Sequence, residues 1–532
     1  MSWLGTIPAM RDERHFETRV VRCFGERPAG YDAMLREAVA RNPHGEALVG
    51  GEQRLTYATL DGVVDCTAAQ LLALGVAPGD RVAILLENGI PFVVALAAIV
   101  RLGAIAVLLN IREEAPELAY ILGHSGATVV IHSASLAVKL PATSAIPDVR
   151  HRLCIDAGWL AVQLGQKIST GGHRHVAHEE DVAAILYTSG TTGRPKGAML
   201  TNMGLVHAAM IYQACMGLDA SDRSIVTVPM SHVTGLTAAI AAMLRAAGTL
   251  IIAPAFKADA FIQLAASERM THTVMVPAMY NLSLLSPSFA AADLSSWRIG
   301  GYGGAPMPEI TIARLAAQLP GLKLMNAYGS TETTGPVVLM PPEFGMARRS
   351  AIGRAVPPCD LRIMDEAGVE VAAGETGEVW LRAPNVVKGY WNNAAATAEN
   401  FVAGYWRSGD LGSVDADGFL TLLDRKKDII NRGGFKIYSV EVENVLAAHP
   451  EVIEAAVVAK ACPVLGERVH AFVVAKTGAF DATQLRNHCA GQLADYKIPE
   501  TFTVLDGALP RNANGKVLKR ELREQAAKAD PA

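Results

Sequence analysis

Residues 182–197 read Val182-Ala183-Ala184-Ile185-Leu186-Tyr187-Thr188-Ser189-Gly190-Thr191-Thr192-Gly193-Arg194-Pro195-Lys196-Gly197. The first five are apolar and predict a buried strand. The eleven that follow have the composition of a phosphate loop. Glycines let backbone N–H groups crowd an anion, hydroxyls add donors, and Lys196 supplies positive charge, which together replace the hydration of a polyphosphate. The stretch is not a Walker motif, because Gly197 follows the lysine and Pro195 stands where that motif needs glycine. A plain surface loop is the bland alternative, and eleven consecutive positions of this type argue against it.

Outward from the loop, the chain alternates strands and helices. Residues 82–86 form a β-rich run, a helical stretch continues to Arg101, Gly103 breaks it, and residues 104–109 form another run. The rhythm recurs at 116–123 followed by 128–132, and at 260–267 followed by 273–276, which predicts layered α/β structure with largely parallel sheets. After Gly353 the segments shorten and alternate (362–364, a turn at 374–377, then 378–382), predicting an antiparallel β subdomain. Asp424-Arg425-Lys426-Lys427-Asp428 is dense in charge, and beyond it residues 429–532 alternate strands and helices on a smaller scale. By charge alone that run is a solvated turn inside one domain; the motifs below make it the boundary. The expected fold class is α/β: a large N-terminal domain (1–426) of layered α/β subdomains plus a β subdomain, and a small C-terminal α+β domain (427–532).

Composition agrees and excludes alternatives. At 532 residues, 50% hydrophobic and 19% charged, the chain is too long for one compact core and too apolar for disorder. Forty-eight Lys plus Arg against 52 Asp plus Glu leave a charge of -4, which offers no electrostatic footprint for nucleic acid. Seven scattered cysteines without a Cys-x-x-Cys pair fit a reducing cytoplasm. Arg11, Asp12, Glu13 and Arg14 occupy the place of a signal peptide's apolar run. The apolar stretches 90–110 and 233–253 are interrupted by Pro91 and Arg101, and by Gly235, Arg245 and Gly248, so each reads as helix, turn and buried strand rather than as a transmembrane segment. Peripheral membrane contact and a homo-oligomer are both compatible with the sequence.

The loop at 187–197 resembles the signature of the AMP-forming acyl-adenylate family, which includes acyl-CoA synthetases, firefly-type luciferases and peptide-synthetase adenylation domains. Further matching stretches follow in the family's order: Ser231-His232-Val233-Thr234-Gly235, Gly301-Tyr302-Gly303-Gly304-Ala305, Asn326-Ala327-Tyr328-Gly329-Ser330-Thr331-Glu332, Tyr405-Trp406-Arg407-Ser408-Gly409-Asp410, residues 424–436, and residues 510–516. The resemblance runs along nearly the whole chain and is strongest to a bacterial-type acyl-CoA synthetase.

The resemblance implies roles. ATP, Mg2+ and coenzyme A are the expected cofactors. Thr188, Ser189, Gly190, Thr191, Thr192, Gly193 and Lys196 would hold phosphates; Gly303, Gly304, Ala305, Asn326, Ala327, Tyr328, Gly329, Ser330 and Thr331 would surround the adenylate. Glu332, helped by Thr188, would hold the metal, which suits a hard cation that uses few protein oxygens. Taken alone, Glu332 also reads as a helix-start carboxylate, and Asp410 as a turn former. In the family Asp410 accepts both ribose hydroxyls and Arg425 reaches the ribose or phosphate side. Lys516 would bridge the carboxylate and the α-phosphate, offsetting the repulsion of two anions as pyrophosphate leaves. No general base is needed, because the acid is ionised at neutral pH. Lys427 would be the pivot of a mobile C-terminal domain, after whose rotation Gly433, Gly434 and Phe435 would admit the thiol; a plain turn is the alternative for the two glycines.

For the acyl pocket the resemblance points to His232, Tyr280, Tyr302 and Gly303. His232 could gate the thiol channel, line the pocket, or be a core histidine satisfied by backbone. Two other clusters also weigh. Gly301-x-Gly303 lacks the third glycine of a dinucleotide fingerprint, with Pro306 in its place. His173, His175 and His178 before Glu179, Glu180 and Asp181 are metal-capable or a solvated linker. The expected function is an ATP-dependent carboxylate–CoA ligase acting through an acyl-adenylate on a fatty or aromatic acid. Loading of a separate acyl carrier protein, a luciferase-like oxygenase and a non-catalytic nucleotide-binding regulator are the rivals.

Overall fold

The computed structural model describes residues 3–166, 174–188, 194–305, 307–345, 348, 351–476, 481–511 and 517–528. Its chain packs as two units, Met1–Leu361 with Leu381–Trp406, and Arg362–Trp380 with Arg407–Ala532. The second unit takes in strands on both sides of residue 426, so the 426/427 division expected from the charge run falls within it.

Two sheets organise the first unit. One runs in the order Lys196–Thr201, Val182–Thr188, Ile105–Leu108, Arg81–Leu85, Ala127–Ser133, His151–Ile155. All its pairs are parallel except the first, where Lys196–Thr201 runs back along Val182–Thr188. Near-continuous apolar runs such as Val82 to Leu85 are what a strand covered on both faces requires. Helices α1 (Tyr31–Arg41), α2 (Tyr57–Ala73), α3 (Ile90–Arg101) and α4 (Ala115–Ser125) belong to the first unit. In α3 every residue but Pro91 is buried, so the apolar stretch at 90–110 is a core helix followed by a core strand. No helix among the described residues is long and apolar enough to cross a membrane.

The second sheet has a parallel centre, in the order Lys323–Ser330, Ile299–Tyr302, His272–Met275, Arg223–Val226, Thr249–Ile252, Glu46–Gly50. Gly335–Leu339 and Gly353–Ala355 continue it antiparallel beyond Lys323–Ser330. The stretch expected as helix, turn and strand at 233–253 begins as a π-helix, Thr234–Ala241, before α-helical Ala242–Ala246 and strand Thr249–Ile252.

Arg101 joins three helices. It is 1% exposed, and its guanidinium meets Asp32 of α1 at 2.7 Å, and Asp61 and Asp65 of α2 at 2.5 and 2.7 Å. Burial opposes its charge, the aspartates more than offset that, and its pKa is raised.

Antiparallel strands follow Gly353 as expected, and in the second unit Asp410–Val414 pairs antiparallel with Phe419–Arg425. It also holds a sheet ordered Phe435–Ile437, Ile430–Arg432, Gly466–Ala475, Val452–Cys462, with Thr501–Val504 parallel beside Gly466–Ala475. Helices Ser439–Ala447, Ala482–Ala490 and Lys519–Lys528 complete it.

Candidate active site

In the first unit the expected residues gather at the carboxyl ends of neighbouring parallel strands, where open α/β sheets present their ligands. His232 follows Arg223–Val226, Gly303 to Ala305 follow Ile299–Tyr302, and Asn326 to Ser330 form the end of Lys323–Ser330. Tyr302 and Asn326 are register partners. A Cβ at Gly303 would run into the Ala327 carbonyl, and one at Gly329 into the Gly335 carbonyl, so close backbone approach demands glycine at both.

The phosphate loop has described flanks. Thr188 and Lys196 face each other as antiparallel register partners, so the loop connects adjacent strands. Ser189, Gly190, Thr191, Thr192 and Gly193 lie outside the described residues, as do His173 and Lys516.

Glu332 sits beside those flanks. Thr331–Thr333 is a 3-10 turn capped by Ser330, whose side chain accepts from Glu332 N–H at 3.1 Å. The carboxylate is ringed by hydroxyls: Thr188 Oγ1 donates to Oε1 at 3.4 Å, Ser330 Oγ to Oε2 at 3.0 Å, and Tyr390 Oη to Oε1 at 3.0 Å. One carboxylate among neutral oxygens matches the donor preference of magnesium. The helix-start reading of Glu332 is thus correct as local structure, and the Thr188 contact across 144 residues adds what a cap alone would not.

Tyr390 belongs to none of the sequence motifs. Backbone pairing brings it in: Ala198 bridges Tyr390, Trp391 N–H donates to Gly197 O at 2.7 Å, and Met199 N–H to Gly389 O at 3.0 Å. Burial and then the Glu332 charge push its phenol far above the usual range, so it stays a donor. Lys196 Nζ lies 5.2 Å from the centre of its ring, within cation–π range. The only sequence signal was Gly389-Tyr390-Trp391 itself, an aromatic pair after a glycine.

His232 is partly buried, and burial lowers its pKa to about 4, leaving it neutral at pH 7. Its Nδ1 accepts the Thr234 N–H at 3.3 Å, which leaves the proton on Nε2. Tyr302 is 7% exposed. Tyr280, expected in the acyl pocket, is placed as a core side chain: it is fully buried, its ring stacks on Trp297 at 5.8 Å, and its hydroxyl donates to Gly301 O at 2.8 Å.

Two of the acidic residues near the histidine cluster have partners elsewhere: Glu179 binds Arg27 at 2.6 Å and Glu180 binds His15 at 3.1 Å. Asp181 stays with the cluster, 3.8 Å from His175 and accepting the His178 N–H at 2.8 Å. Glu13, His15 and Cys23 also lie close together. The Glu13 carboxylate is spent on Arg27 and Arg11, and burial raises the Cys23 thiol to about 12, so neither is a ready ligand.

In the second unit Asp410 and Arg425 are register partners with an ion pair of 3.1 Å. Asp410 is 8% exposed and its N–H donates to Ser408 Oγ at 3.0 Å; Gly409, at φ +71°, lies inside the strand Tyr405–Val414, so Asp410 is a strand residue and not the turn former it reads as alone. Burial lowers the Lys427 pKa. Arg523 of Lys519–Lys528 donates to the Lys427 carbonyl and to Asp428, both at 3.0 Å. Gly433 (φ +56°) and Gly434 (φ +91°) form the two-residue turn between Arg432 and Phe435, the plain-turn alternative. Phe435 is exposed and stacks on Tyr496 at 4.6 Å.

Comparison with known proteins identifies the class. Residues 35–391 match the AMP-binding enzyme family, and residues 441–516 match the AMP-binding enzyme C-terminal domain. The chain belongs to the AMP-binding enzyme family. It is 35% identical to the long-chain-fatty-acid–CoA ligase FadD13 of Mycobacterium tuberculosis, over 92% of this chain and 97% of that protein. It is 37% identical to a feruloyl-CoA synthase of Amycolatopsis sp, over 91% and 96%. The solved structure of o-succinylbenzoate CoA synthetase (MenE) from Bacillus subtilis in complex with the acyl-adenylate intermediate OSB-AMP superposes with a TM-score of 0.82 at 31% identity, covering 92% of this chain and 97% of that one.

Proposed function

We propose that this protein is an AMP-forming carboxylate–CoA ligase. The carboxylate of the substrate attacks the α-phosphorus of ATP, pyrophosphate leaves, and the thiol of coenzyme A then displaces AMP from the acyl-adenylate to give acyl-CoA. The observation that carries the reading is Glu332 set against Thr188 at the base of the phosphate loop, with three hydroxyls orienting its carboxylate.

Each residue has a physical task. Thr188 and Lys196, with residues 189–193, hold the phosphates, and Gly303 to Ala305 with Asn326 to Thr331 form the adenylate wall. Glu332 and Thr188 hold magnesium, which when bound neutralises phosphate charge. Asp410 accepts from the ribose hydroxyls, with Arg425 orienting it. Lys516 places an ammonium between the two reacting anions. Neutral His232, with its Nε2 proton, and Tyr302 line the acyl side. Residues 427–532 turn about Lys427 between the two steps, bringing residues 433–435 to the thiol. The named relatives, a fatty-acid ligase and a feruloyl-CoA synthase, favour a fatty or aromatic acid. The scattered cysteines support a cytoplasmic setting.

The test is pyrophosphate release with a panel of fatty and aryl acids, with and without coenzyme A, the products identified by mass. Acid-dependent pyrophosphate with an acyl-CoA product is expected. Acyl-AMP that persists despite coenzyme A would move the acceptor to a carrier protein, and no turnover with any acid would overturn catalysis.

A further inference from the structure

Helix α4 presents Tyr120 and His124, four residues apart and therefore on one helical face, to the two described flanks of the phosphate loop. On the incoming side His124 Nδ1 lies 2.8 Å from Tyr187 Oη. On the outgoing side Tyr120 Oη donates to Pro195 O at 3.3 Å, and the Arg194 guanidinium lies 5.7 Å from the Tyr120 ring centre. The rings also hold one another: Tyr120 stacks on His124 at 5.4 Å, and Tyr187 meets Tyr120 and His124 edge-on at 6.5 and 5.8 Å.

We propose that Tyr120 and His124 are positioning residues that brace both flanks of the phosphate loop and so set its affinity for the nucleotide. The inference rests on the ATP-binding reading of that loop. Three features make α4 a rigid support. Glu114 and Glu117 form a reciprocal capping box at its start, Gly126 ends it in the left-handed conformation, and Leu118, Ile121 and Leu122 bury its opposite side. Asn392 Nδ2 donates to the His124 carbonyl at 3.4 Å, joining the brace to the strand segment that carries Tyr390. Burial lowers the His124 pKa and raises that of Tyr187, so at pH 7 a neutral imidazole and a neutral phenol share the hydrogen bond at Nδ1. Flanks that are fixed before the nucleotide arrives need not be ordered at the expense of its binding.

The test compares Tyr120→Phe, Tyr120→Ala, His124→Ala and the Tyr120→Ala/His124→Ala double variant with the unaltered protein. Readouts are calorimetric binding of a non-hydrolysable ATP analogue, KM for ATP, KM for the acid, kcat and Tm. At about 1 kcal/mol per lost hydrogen bond, Tyr120→Phe should weaken nucleotide binding roughly 3- to 5-fold and the double variant by about 10-fold or more. KM for the acid and kcat should stay within about 3-fold. Nucleotide affinity unchanged in Tyr120→Phe and His124→Ala, or equal losses for ATP and acid, would overturn the brace. Failure of the unaltered protein to bind the analogue would instead overturn the nucleotide reading.

Discussion

Replacing Arg101 with methionine keeps an unbranched apolar stem but removes the one charge that Asp32, Asp61 and Asp65 share. Arg101 is 1% exposed, and the three carboxylates lie 2.5 to 2.7 Å from it. Breaking a buried pair from one side costs about 3–5 kcal/mol, because the partner charge stays buried and unpaired. Here three partners remain, and two nearby cations relieve part of the penalty: Arg36 on Asp32 at 3.1 Å, and Arg174 on Asp65 at 3.2 Å. The expected loss is therefore about 4 kcal/mol, within that range. Urea unfolding followed by tryptophan fluorescence would read it as a lower midpoint. The companion variant Arg101→Met/Asp65→Asn should recover part of the loss, since one orphaned charge is gone. A loss below about 1 kcal/mol, or a double variant worse than the sum of its parts, would refute the account of a charge-compensated core. The perturbation should reach the site as well, because the Arg101 carbonyl receives the His175 N–H at 3.1 Å in the segment leading to the phosphate loop.

Tyr390→Phe, which deletes the hydroxyl held by Glu332, should raise the Mg2+ concentration for half-maximal pyrophosphate release about 10-fold, with a matching loss in Mn2+–nucleotide binding by electron paramagnetic resonance. Lys516→Ala should abolish adenylate formation while leaving thioester formation from preformed acyl-AMP largely intact; equal loss in both steps would remove the assigned role. His207 is fully buried with its pKa lowered to about 3, so below its ordinary 6.5 the unfolded chain binds a proton that the fold refuses. Stability conferred by the neutral ring is thus complete above pH 6.5 and falls as pH drops toward 3, by about 2 kcal/mol between pH 6.5 and 5, and His207→Gln should flatten that limb of the urea midpoint against pH. Glu113 has the opposite sign: burial raises it from 4.5 to about 7, so stability is lost as pH climbs through that interval. Glu113→Gln should therefore stabilise the protein by roughly 1–3 kcal/mol at pH 8 and change little at pH 4, measured as Tm.

The alternation of strand and helix was legible because its causes are local. An apolar run before Gly103, or before the loop at 187–197, carries its own periodicity and its own break, and the strands at Arg81–Leu85, Ile105–Leu108 and Val182–Thr188 follow. The motif residues at 303–305 and 326–332 were legible for the same reason, each being a contiguous stretch. Arg101 reads in the sequence only as an interruption in an apolar run, since its partners lie 36 to 69 residues away. Tyr280 was expected in the pocket from its motif neighbourhood, and the structure spends its hydroxyl on Gly301 and its ring on Trp297. Tyr390 reaches Glu332 across 58 residues, through strand pairing at Ala198 that no local pattern announces. Tyr120 and His124 were an ordinary i, i+4 pair until α4 was laid against the loop.

The layered α/β class, the chemistry of the phosphate loop and the membership of each motif are written in short stretches of chain, because composition and periodicity act over a few residues. Tertiary structure alone decided which hydroxyls surround Glu332, which helix supports the loop, and how a buried arginine is neutralised. Those depend on side chains distant in sequence meeting in a low-dielectric interior, where an unpaired charge or donor is costly and packing selects the partner.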